Sequence, residues 1–239
     1  MKKLRISLCL LLCLALALTF AACGESEKPV ETAENTELTS QDAEPEQDAA
    51  ATELDEDELP IMTDGEQPKE TEHELHHVQI VIRYYGTVTL ELDATAAPIT
   101  VQNFLDLAGS GFYDGLTFHR IMDGFMIQGG DPLGTGMGGS STHITGEFAG
   151  NGWDNPISHQ PGVISMARSG DPNSASSQFF ICVGDASFLD GSYAAFGWTA
   201  DEESLEIALQ IAKDAKPVDN NGSIPKGEQP VIESVKVVD

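Results

Sequence analysis

The chain has 239 residues, of which 39 are acidic and only 12 are basic, so its formal net charge is −27. A negative surplus of this size argues against nucleic acid and against anionic lipid headgroups as electrostatic partners. The length allows one domain with a substantial core, together with flanking extensions.

The N-terminus has the pattern of an export signal. Basic residues among the first five precede an apolar stretch, residues 6–20, which is too short to favour a membrane-spanning helix. Cys23 follows two alanines, as in a bacterial lipobox, where cleavage before the cysteine leaves it to carry the lipid. Phe20 stands where leucine is usual, so ordinary secretion or an uncleaved anchor is the alternative. We predict a lipoprotein signal peptide over residues 1–22 and a chain anchored through Cys23 to the extracytoplasmic face of the cell membrane.

An acidic segment follows the signal. Residues 25–74 contain 19 acidic residues and two lysines, and such a composition cannot bury enough apolar surface to offset the entropy of ordering. We therefore expect residues 23–74 to form a disordered linker, and residues 75–239 to form a folded domain.

Histidines and cysteines predict neither a metal site nor a disulfide framework. His73, His76 and His77 are interpreted as part of the tether, without fixed geometry, and thus as at most a weak incidental metal site. Cys182 is the only cysteine of the predicted domain, and its apolar neighbours predict a buried thiol. We predict no metal and no cofactor.

Hydrophobic periodicity and turn residues predict short strands and two helices. Two short strands are expected around Arg120 and Gln128, joined by a turn at Asp123-Gly124. Short strands accompanied by only two helices indicate a β-barrel or a β-sandwich, and the periodicity does not distinguish these two folds. The remaining predicted elements, in chain order, are strands over 78–84 and 87–92, a helix from Pro98 to about Gly109, strands over 163–166, 179–183 and 194–196, a helix over 201–215 and a strand over 231–238.

Two segments carry the most information. Residues 118–131 read FHRIMDGFMIQGGD, and residues 177–182 read SQFFIC, followed by FLDG at 188–191 and FG at 196–197. In this order and spacing they resemble the cyclophilins, the family of peptidyl-prolyl cis–trans isomerases, over about residues 78–239. The resemblance implies a mostly β fold, an eight-stranded antiparallel barrel capped by two α-helices, of the kind found in single-domain bacterial members.

The resemblance also implies a site. Rotation about an X-Pro bond has a barrier of roughly 20 kcal/mol that arises from amide resonance, so a catalyst needs a proline pocket and a donor to the proline nitrogen. Arg120 matches the catalytic arginine of the family. Gln128 matches the residue that binds the substrate backbone and helps to orient this arginine. The implied substrate-binding residues are Phe125, Met126, Ala167, Arg168, Gln178, Phe180, Phe188, Leu189 and Tyr193.

Each of these residues has an ordinary structural alternative. Arg120 could serve a salt bridge, Gln128 could be a satisfied semi-buried amide, and the apolar residues could be core. His119 is expected to pack behind the site, and His143 and His159 are expected to be structural. The GxGxxG pattern at 134–139 follows no predicted strand–turn and opens no helix, so we interpret it as chance.

The chain departs from the family at three positions of the implied site. Phe188 stands where many members have a tryptophan that helps to hold cyclosporin, so weakened cyclosporin binding is expected. Tyr193 stands in place of a histidine, and Arg168 in place of an asparagine that acts mainly through its backbone.

The favoured function is a monomeric isomerase that acts on proline-containing exported or surface polypeptides and assists their folding. The alternative is a non-catalytic module that binds proline segments as a chaperone or surface adhesin. The intact pair of Arg120 and Gln128 favours the enzyme, because binding alone needs only the apolar pocket.

Overall fold

The computed structural model describes residues 73–239, which contain eight β-strands and two α-helices. The predicted signal peptide, Cys23 and nearly all of the predicted linker lie outside the described residues. Within 73–239, no helix is both long and apolar enough to cross a bilayer. The elements are β1 (Leu75–Ile82), β2 (Gly86–Asp93), α1 (Pro98–Gly109), β3 (Arg120–Met122), β4 (Met126–Gly129), β5 (Val163–Met166), β6 (Phe179–Cys182), β7 (Ala195–Thr199), α2 (Glu202–Asp214) and β8 (Ile232–Val237).

All eight strands belong to one antiparallel sheet with the order β3-β4-β6-β5-β7-β2-β1-β8. The chain segments at its two outer strands also meet, since Thr117 just before β3 bridges to Val231 just before β8. The amide of Phe118 donates to the carbonyl of Pro230 at 3.0 Å in the same region. These bonds join the two edges, so the sheet curls into the expected eight-stranded barrel.

The inner face of the sheet follows from strand alternation. Four isoleucines that pair directly across β3, β4, β6 and β5 are all fully buried: Ile121, Ile127, Ile181 and Ile164. Because successive side chains of a strand point to opposite faces, the residues on either side of this row face away from the core. The isoleucine row therefore determines which residues of these strands are available for a site.

The first turn of each helix is bonded to a side-chain carboxylate. At α1, the amides of Ile99 and Thr100 and the hydroxyl of Thr100 all donate to the buried carboxylate of Glu147, at 2.9, 2.8 and 2.6 Å. At α2, the carboxylate of Asp201 accepts from the amide of Ser204 at 2.7 Å. Such caps satisfy amides that the first helical turn leaves without partners.

An aromatic cluster joins α1 to the sheet. The ring of Phe104 lies 5.0 Å from that of Tyr113, 5.5 Å from Phe179 and 5.4 Å from Phe196, measured between centroids. All four side chains are completely buried. Phe104 thus packs α1 against β6 and β7.

The predicted element types are confirmed, and most boundaries agree within two residues. The strand expected over 194–196 is longer, because Trp198 pairs with Val163 and Thr199 with Leu90. The assignment of His76 and His77 to a tether without fixed geometry is wrong. Both lie on β1, where pairing with β2 orders the backbone, and both ring Nδ1 atoms bond to the carboxylate of Asp239 at 2.7 and 3.2 Å.

His73 also has a fixed partner, since its Nδ1 lies 2.7 Å from the carboxylate of Asp93. Contacts with the sheet thus begin two residues before the predicted domain boundary. Among residues 73–239, no group of three or more His, Cys, Asp or Glu side chains is arranged to hold a metal ion.

Candidate active site

The outward-facing residues beside the isoleucine row line up across four strands. Arg120 of β3 pairs with Gln128 of β4, Gln128 with Phe180 of β6, and Phe180 with Ser165 of β5. Direct cross-strand neighbours have Cβ atoms about 5 Å apart, so the register alone brings arginine, glutamine and phenylalanine into contact. A parallel row two residues along the strands consists of Met122, Met126 and Cys182.

Arg120 is held in position by uncharged partners. Its Nε donates to the carbonyl of Asn221 at 2.8 Å, and Nη1 donates to Oε1 of Gln128 at 3.1 Å. The sulfur atoms of Met122 and Met126 lie 3.3 and 3.9 Å from the two Nη atoms. Burial lowers the pKa of Arg120 and nearby Asp219 opposes this, but a guanidinium titrates so far above neutrality that it stays charged. The half-buried cation forms no salt bridge within residues 73–239.

Gln128 connects the arginine to a glycine-rich loop. Its Nε2 donates to Oε1 of Gln178 at 2.9 Å, and Gln178 in turn donates to the carbonyls of Gly136 and Gly138 at 3.1 and 2.7 Å. Each amide uses its carbonyl as acceptor and its NH₂ as donor, so the direction of the chain of bonds is defined from Arg120 to the loop. The arginine, both glutamines and the loop therefore form one hydrogen-bonded unit.

A cavity of about 520 Å³ opens beside Arg120. Its apolar wall and floor consist of Phe125, Met126, Phe180, Leu189 and Tyr193. Phe180 is almost fully buried and its ring meets Tyr193 edge-on, with 6.0 Å between centroids. A concave apolar surface next to a fixed cation suits a small ring that carries a hydrogen-bond acceptor.

A buried histidine supports the cavity from below. The ring of His159 is parallel to that of Phe180 within 14°, its Nδ1 lies 2.7 Å from the carboxylate of Asp190, and its Nε2 lies 3.0 Å from Oγ of Ser165. Burial lowers the pKa of His159, and the bond to Asp190 opposes this. This Asp–His–Ser chain resembles a hydrolase triad, but Ser165 and His159 are both inaccessible to solvent, so it ties the loop after Leu189 to the sheet.

Comparison with known proteins decides the family. The model of the cyclophilin-type peptidyl-prolyl cis-trans isomerases matches residues 77–237, about two thirds of the chain. The chain belongs to the cyclophilin family. A peptidyl-prolyl cis-trans isomerase of Synechococcus elongatus is 49% identical over 126 residues, which are 53% of this chain and 82% of that one. One of Helicobacter pylori is 48% identical over 126 residues, 53% of this chain and 75% of that one.

Solved cyclophilins show the same fold. The crystal structure of a cyclophilin-type isomerase of Cryptosporidium parvum superposes with a TM-score of 0.59 at 31% identity, covering 69% of this chain and 98% of that one. A second structure of that protein, solved in the presence of the dipeptide Ala-Pro, gives a TM-score of 0.58 at the same identity, with 68% and 99% coverage. The cyclophilin resemblance of the sequence and the barrel topology therefore agree, and the family activity is peptidyl-prolyl isomerisation.

Most residues predicted for the cyclophilin site lie around the one cavity. Arg120, Gln128, Phe125, Met126, Ala167, Arg168, Phe180, Leu189 and Tyr193 all line it. Gln178 does not, and instead lies behind Gln128 and lines a second cavity of about 370 Å³. Phe188 is 71% exposed and outside the cavity wall, with its ring tilted against Phe125 at 5.5 Å.

Arg168 makes contacts that sequence reasoning did not foresee. Nε and Nη2 donate to the carbonyl of Ser192 at 2.9 and 2.8 Å, and Nη1 donates to the carbonyl of Ser169 at 2.9 Å. Its guanidinium carbon lies 4.7 Å from the ring centroid of Tyr193 and 5.1 Å from that of Phe148. The side chain of Arg168 therefore contributes to the site together with its backbone, because it stacks on Tyr193, which lines the cavity.

Two loops of the site were missed. Residues 134–137 line the cavity from one loop, and Asn221, Ser223 and Ile224 line it from another. The first loop was visible only as the GxGxxG pattern, which indeed opens no helix. For the second loop the one signal in the sequence was the glycine at position 222. In the structure its φ is +85°, and a Cβ added there would lie 2.6 Å from the carbonyl oxygen of Ile121, so glycine is required at this position.

His119 packs beneath the first loop. Both ring nitrogens are buried and have no hydrogen-bond partner within residues 73–239. Burial lowers the pKa of His119, with Asp131 opposing and Arg120 reinforcing the effect. His119 is nearly fully buried and also lines the first cavity, so it lies at the site and not only behind it.

Proposed function

We propose that this cyclophilin works outside the cytoplasm as a monomer, where it accelerates cis–trans rotation of X-Pro bonds in exported or cell-surface polypeptides and assists their folding. The observation that carries the catalytic part is Arg120, a half-buried guanidinium without a carboxylate partner in the described domain, fixed beside an apolar cavity. The location rests on the sequence of residues 1–23, with its apolar stretch and lipobox-like cysteine.

The chemistry follows from the barrier. Amide resonance costs roughly 20 kcal/mol to break, and it delocalises the nitrogen lone pair that a donor could otherwise engage. In the twisted transition state the proline nitrogen becomes pyramidal and basic. A donation from Arg120 to that nitrogen therefore stabilises the transition state more than the planar ground state.

The other residues hold the substrate on both sides of the rotating bond. The proline ring packs against Phe125, Met126, Phe180 and Leu189, while Gln128 and the backbone at Ala167–Arg168 hold the preceding residues. No covalent bond forms or breaks, so the mechanism needs no nucleophile, metal or cofactor.

The test is catalysed exchange of a short X-Pro peptide, measured by NMR line shape without a coupling protease. The full chain, purified in mild detergent, is compared with its Arg120→Ala form. We expect exchange catalysed by the wild type and a loss of about 100-fold or more in the variant, as when a single transition-state donor is removed. Equal rates in the two folded proteins would refute the role of Arg120.

A second candidate is a non-catalytic proline-binding module, which two exposed apolar residues at the rim favour. Met137 is 87% exposed and Phe188 is 71% exposed. Such side chains suit the capture of unfolded segments. Binding of an unfolded proline-rich chain that is unchanged by Arg120→Ala, with no catalysis by the wild type, would favour this candidate.

A further inference from the structure

Charge is distributed unevenly between the cleft and the rest of the described domain. Residues 73–239 contain 21 acidic and seven basic residues. None of the acidic residues in this range lines either cavity of the site, whereas Arg120 and Arg168 both do. A positive cleft in an otherwise negative surface concentrates field lines and attracts anionic groups to that cleft.

Arg168 keeps its charge available. Among residues 73–239 it forms no salt bridge, since its three bonds all go to the backbone carbonyls of Ser192 and Ser169. A guanidinium has five N–H donors, so one on Nη1 and one on Nη2 have no partner in this part of the chain. Carbonyls and aromatic rings hold the group in place without neutralising it.

The second cavity lies directly beside this guanidinium. It shares Gln128, Gly136, Met137, Ala167 and Arg168 with the first cavity. It is also lined by Ser140, Ser169, Ser174, Ser176 and His143. The carboxylate of nearby Asp171 does not line it and accepts the amide of Asn173 at 2.9 Å. A cation among hydroxyls is a suitable environment for a carboxylate.

We propose that this second cavity selects substrates with an acidic side chain shortly before the proline, and that Arg168 is the residue that determines this preference. The inference rests on the proposed function, which puts proline in the first cavity. Gln128 and the Ala167–Arg168 backbone, which the proposed function gives to the residues that precede proline, also line the second cavity. An extended chain that enters from this side presents its upstream side chains to Arg168.

The rival explanation is that Arg168 only clamps the carbonyl of Ser192 and supports Tyr193. The two explanations differ in what they predict for peptides. If Arg168 is only a clamp, replacing it changes kcat/KM equally for every peptide. If Arg168 recognises a charge on the substrate, replacing it changes the ratio of kcat/KM between acidic and neutral peptides.

The experiment uses blocked peptides Xaa-Ala-Pro-Phe in which Xaa is Glu, Gln or Lys, and the kcat/KM of exchange is measured with the full chain. At low ionic strength we expect Glu to exceed Gln by roughly three- to tenfold, the effect of one partly exposed charge-assisted bond. Lys should fall below Gln. The ratio should shrink as salt approaches about 0.5 M, because the Debye length falls towards a few ångströms.

Matched variants assign the effect to Arg168. In the Arg168→Gln variant, the ratio of kcat/KM for the Glu peptide to kcat/KM for the Gln peptide should approach one, whatever happens to the overall rate. Arg168→Lys keeps the charge but loses the fork that clamps Ser192, so part of the preference should persist. Peptides with Glu or Gln placed after the proline serve as controls and should be turned over with a ratio near one in the wild type.

Two outcomes would overturn the inference: a wild-type Glu/Gln ratio near one at low salt, or a preference that survives Arg168→Gln. Both leave the proposed function intact if all peptides are catalysed. If the wild type catalyses none of them, the proposed function fails, and NMR titration with the same peptides still measures the acidic preference as a ratio of dissociation constants. The wild-type ratio and its salt dependence suffice even if Arg168→Gln does not fold.

Discussion

The guanidinium of Arg120 donates to Oε1 of Gln128 at 3.1 Å, and the two residues are direct cross-strand partners in the β3–β4 hairpin. The hairpin register therefore holds the catalytic donor through a second side chain. Gln128 is in turn oriented by its own donation to Gln178. The position of the arginine thus depends on a polar chain that reaches the glycine-rich loop.

This relationship predicts the effect of altering Gln128. Gln128→Ala removes one partner of Nη1 and a contact to substrate, so kcat/KM should fall about tenfold, the effect expected for a lost hydrogen bond to a charged group. Gln128→Glu still accepts from Arg120, but it gives the guanidinium a carboxylate partner and cannot donate to Gln178, so it should lose at least as much. Steady-state exchange kinetics measure both, and an unchanged kcat/KM in Gln128→Ala would contradict the arrangement.

Cyclosporin binding should be limited by Phe188. This ring is exposed at the rim and lacks the indole N–H of the tryptophan that many cyclophilins have there. Phe188→Trp adds apolar area and a donor, so the affinity for cyclosporin should rise by roughly five- to thirtyfold. Isothermal titration calorimetry measures this, with Phe188→Leu as the comparison that should weaken binding. Equal dissociation constants for wild type and Phe188→Trp would show that another position limits the affinity.

Stability should depend strongly on one buried carboxylate. Glu147 accepts three bonds at the start of α1, from the amide of Ile99 and from the amide and hydroxyl of Thr100. Glu147→Ala leaves these donors without a partner, so the free energy of unfolding should fall by about 2–4 kcal/mol. Thr100→Val removes only the hydroxyl and should cost about 1 kcal/mol. Urea unfolding followed by circular dichroism measures both, and similar losses for the two variants would refute the capping role.

Acid should destabilise the domain before the carboxylates titrate. Burial lowers the pKa of His159 and of His119 from the ordinary value of 6.5, so the unfolded chain binds more protons below that pH. The stability present above pH 6.5 is then lost as pH falls through the folded-state values, by up to about 1.4 kcal/mol per pH unit for each histidine. The pKa of Asp190 is lowered by its bonds to Ser158 and His159, so its contribution is lost only at more acidic pH.

The measurement is the urea midpoint between about pH 7.5 and 5.5, a range that brackets the ordinary histidine pKa. His159→Gln removes one of the two histidines whose pKa burial lowers, so the stability of the variant should fall less steeply with acid than that of the wild type. An identical slope would show that His159 takes up no proton on unfolding in this range.

Residues 118–131 and 177–182, with FLDG at 188–191 and FG at 196–197, carried the resemblance that predicted the family, the barrel and part of the cavity wall. The resemblance implied the roles of the site residues, and the local pattern predicted only that Arg120 and Gln128 lie on short neighbouring strands. On such strands, alternation decides which residue faces the core, and a turn such as Asp123-Gly124 sets the register of a hairpin. A two-residue turn at Asp123-Gly124 would pair Arg120 with Ile127, but the hairpin loop also includes Phe125, and this longer loop pairs Arg120 with Gln128.

Contacts between distant segments could not be predicted in this way. The donation from Arg120 to Asn221, the stacking of Arg168 on Tyr193 and the caps from Glu147 all join residues that no periodicity relates. The same holds for His76 and His77, whose interpretation as tether failed because only the pairing of β1 with β2 and β8 orders that strand. Closure of the barrel determined these contacts, since the chain order carries no information about which loops meet at its rim.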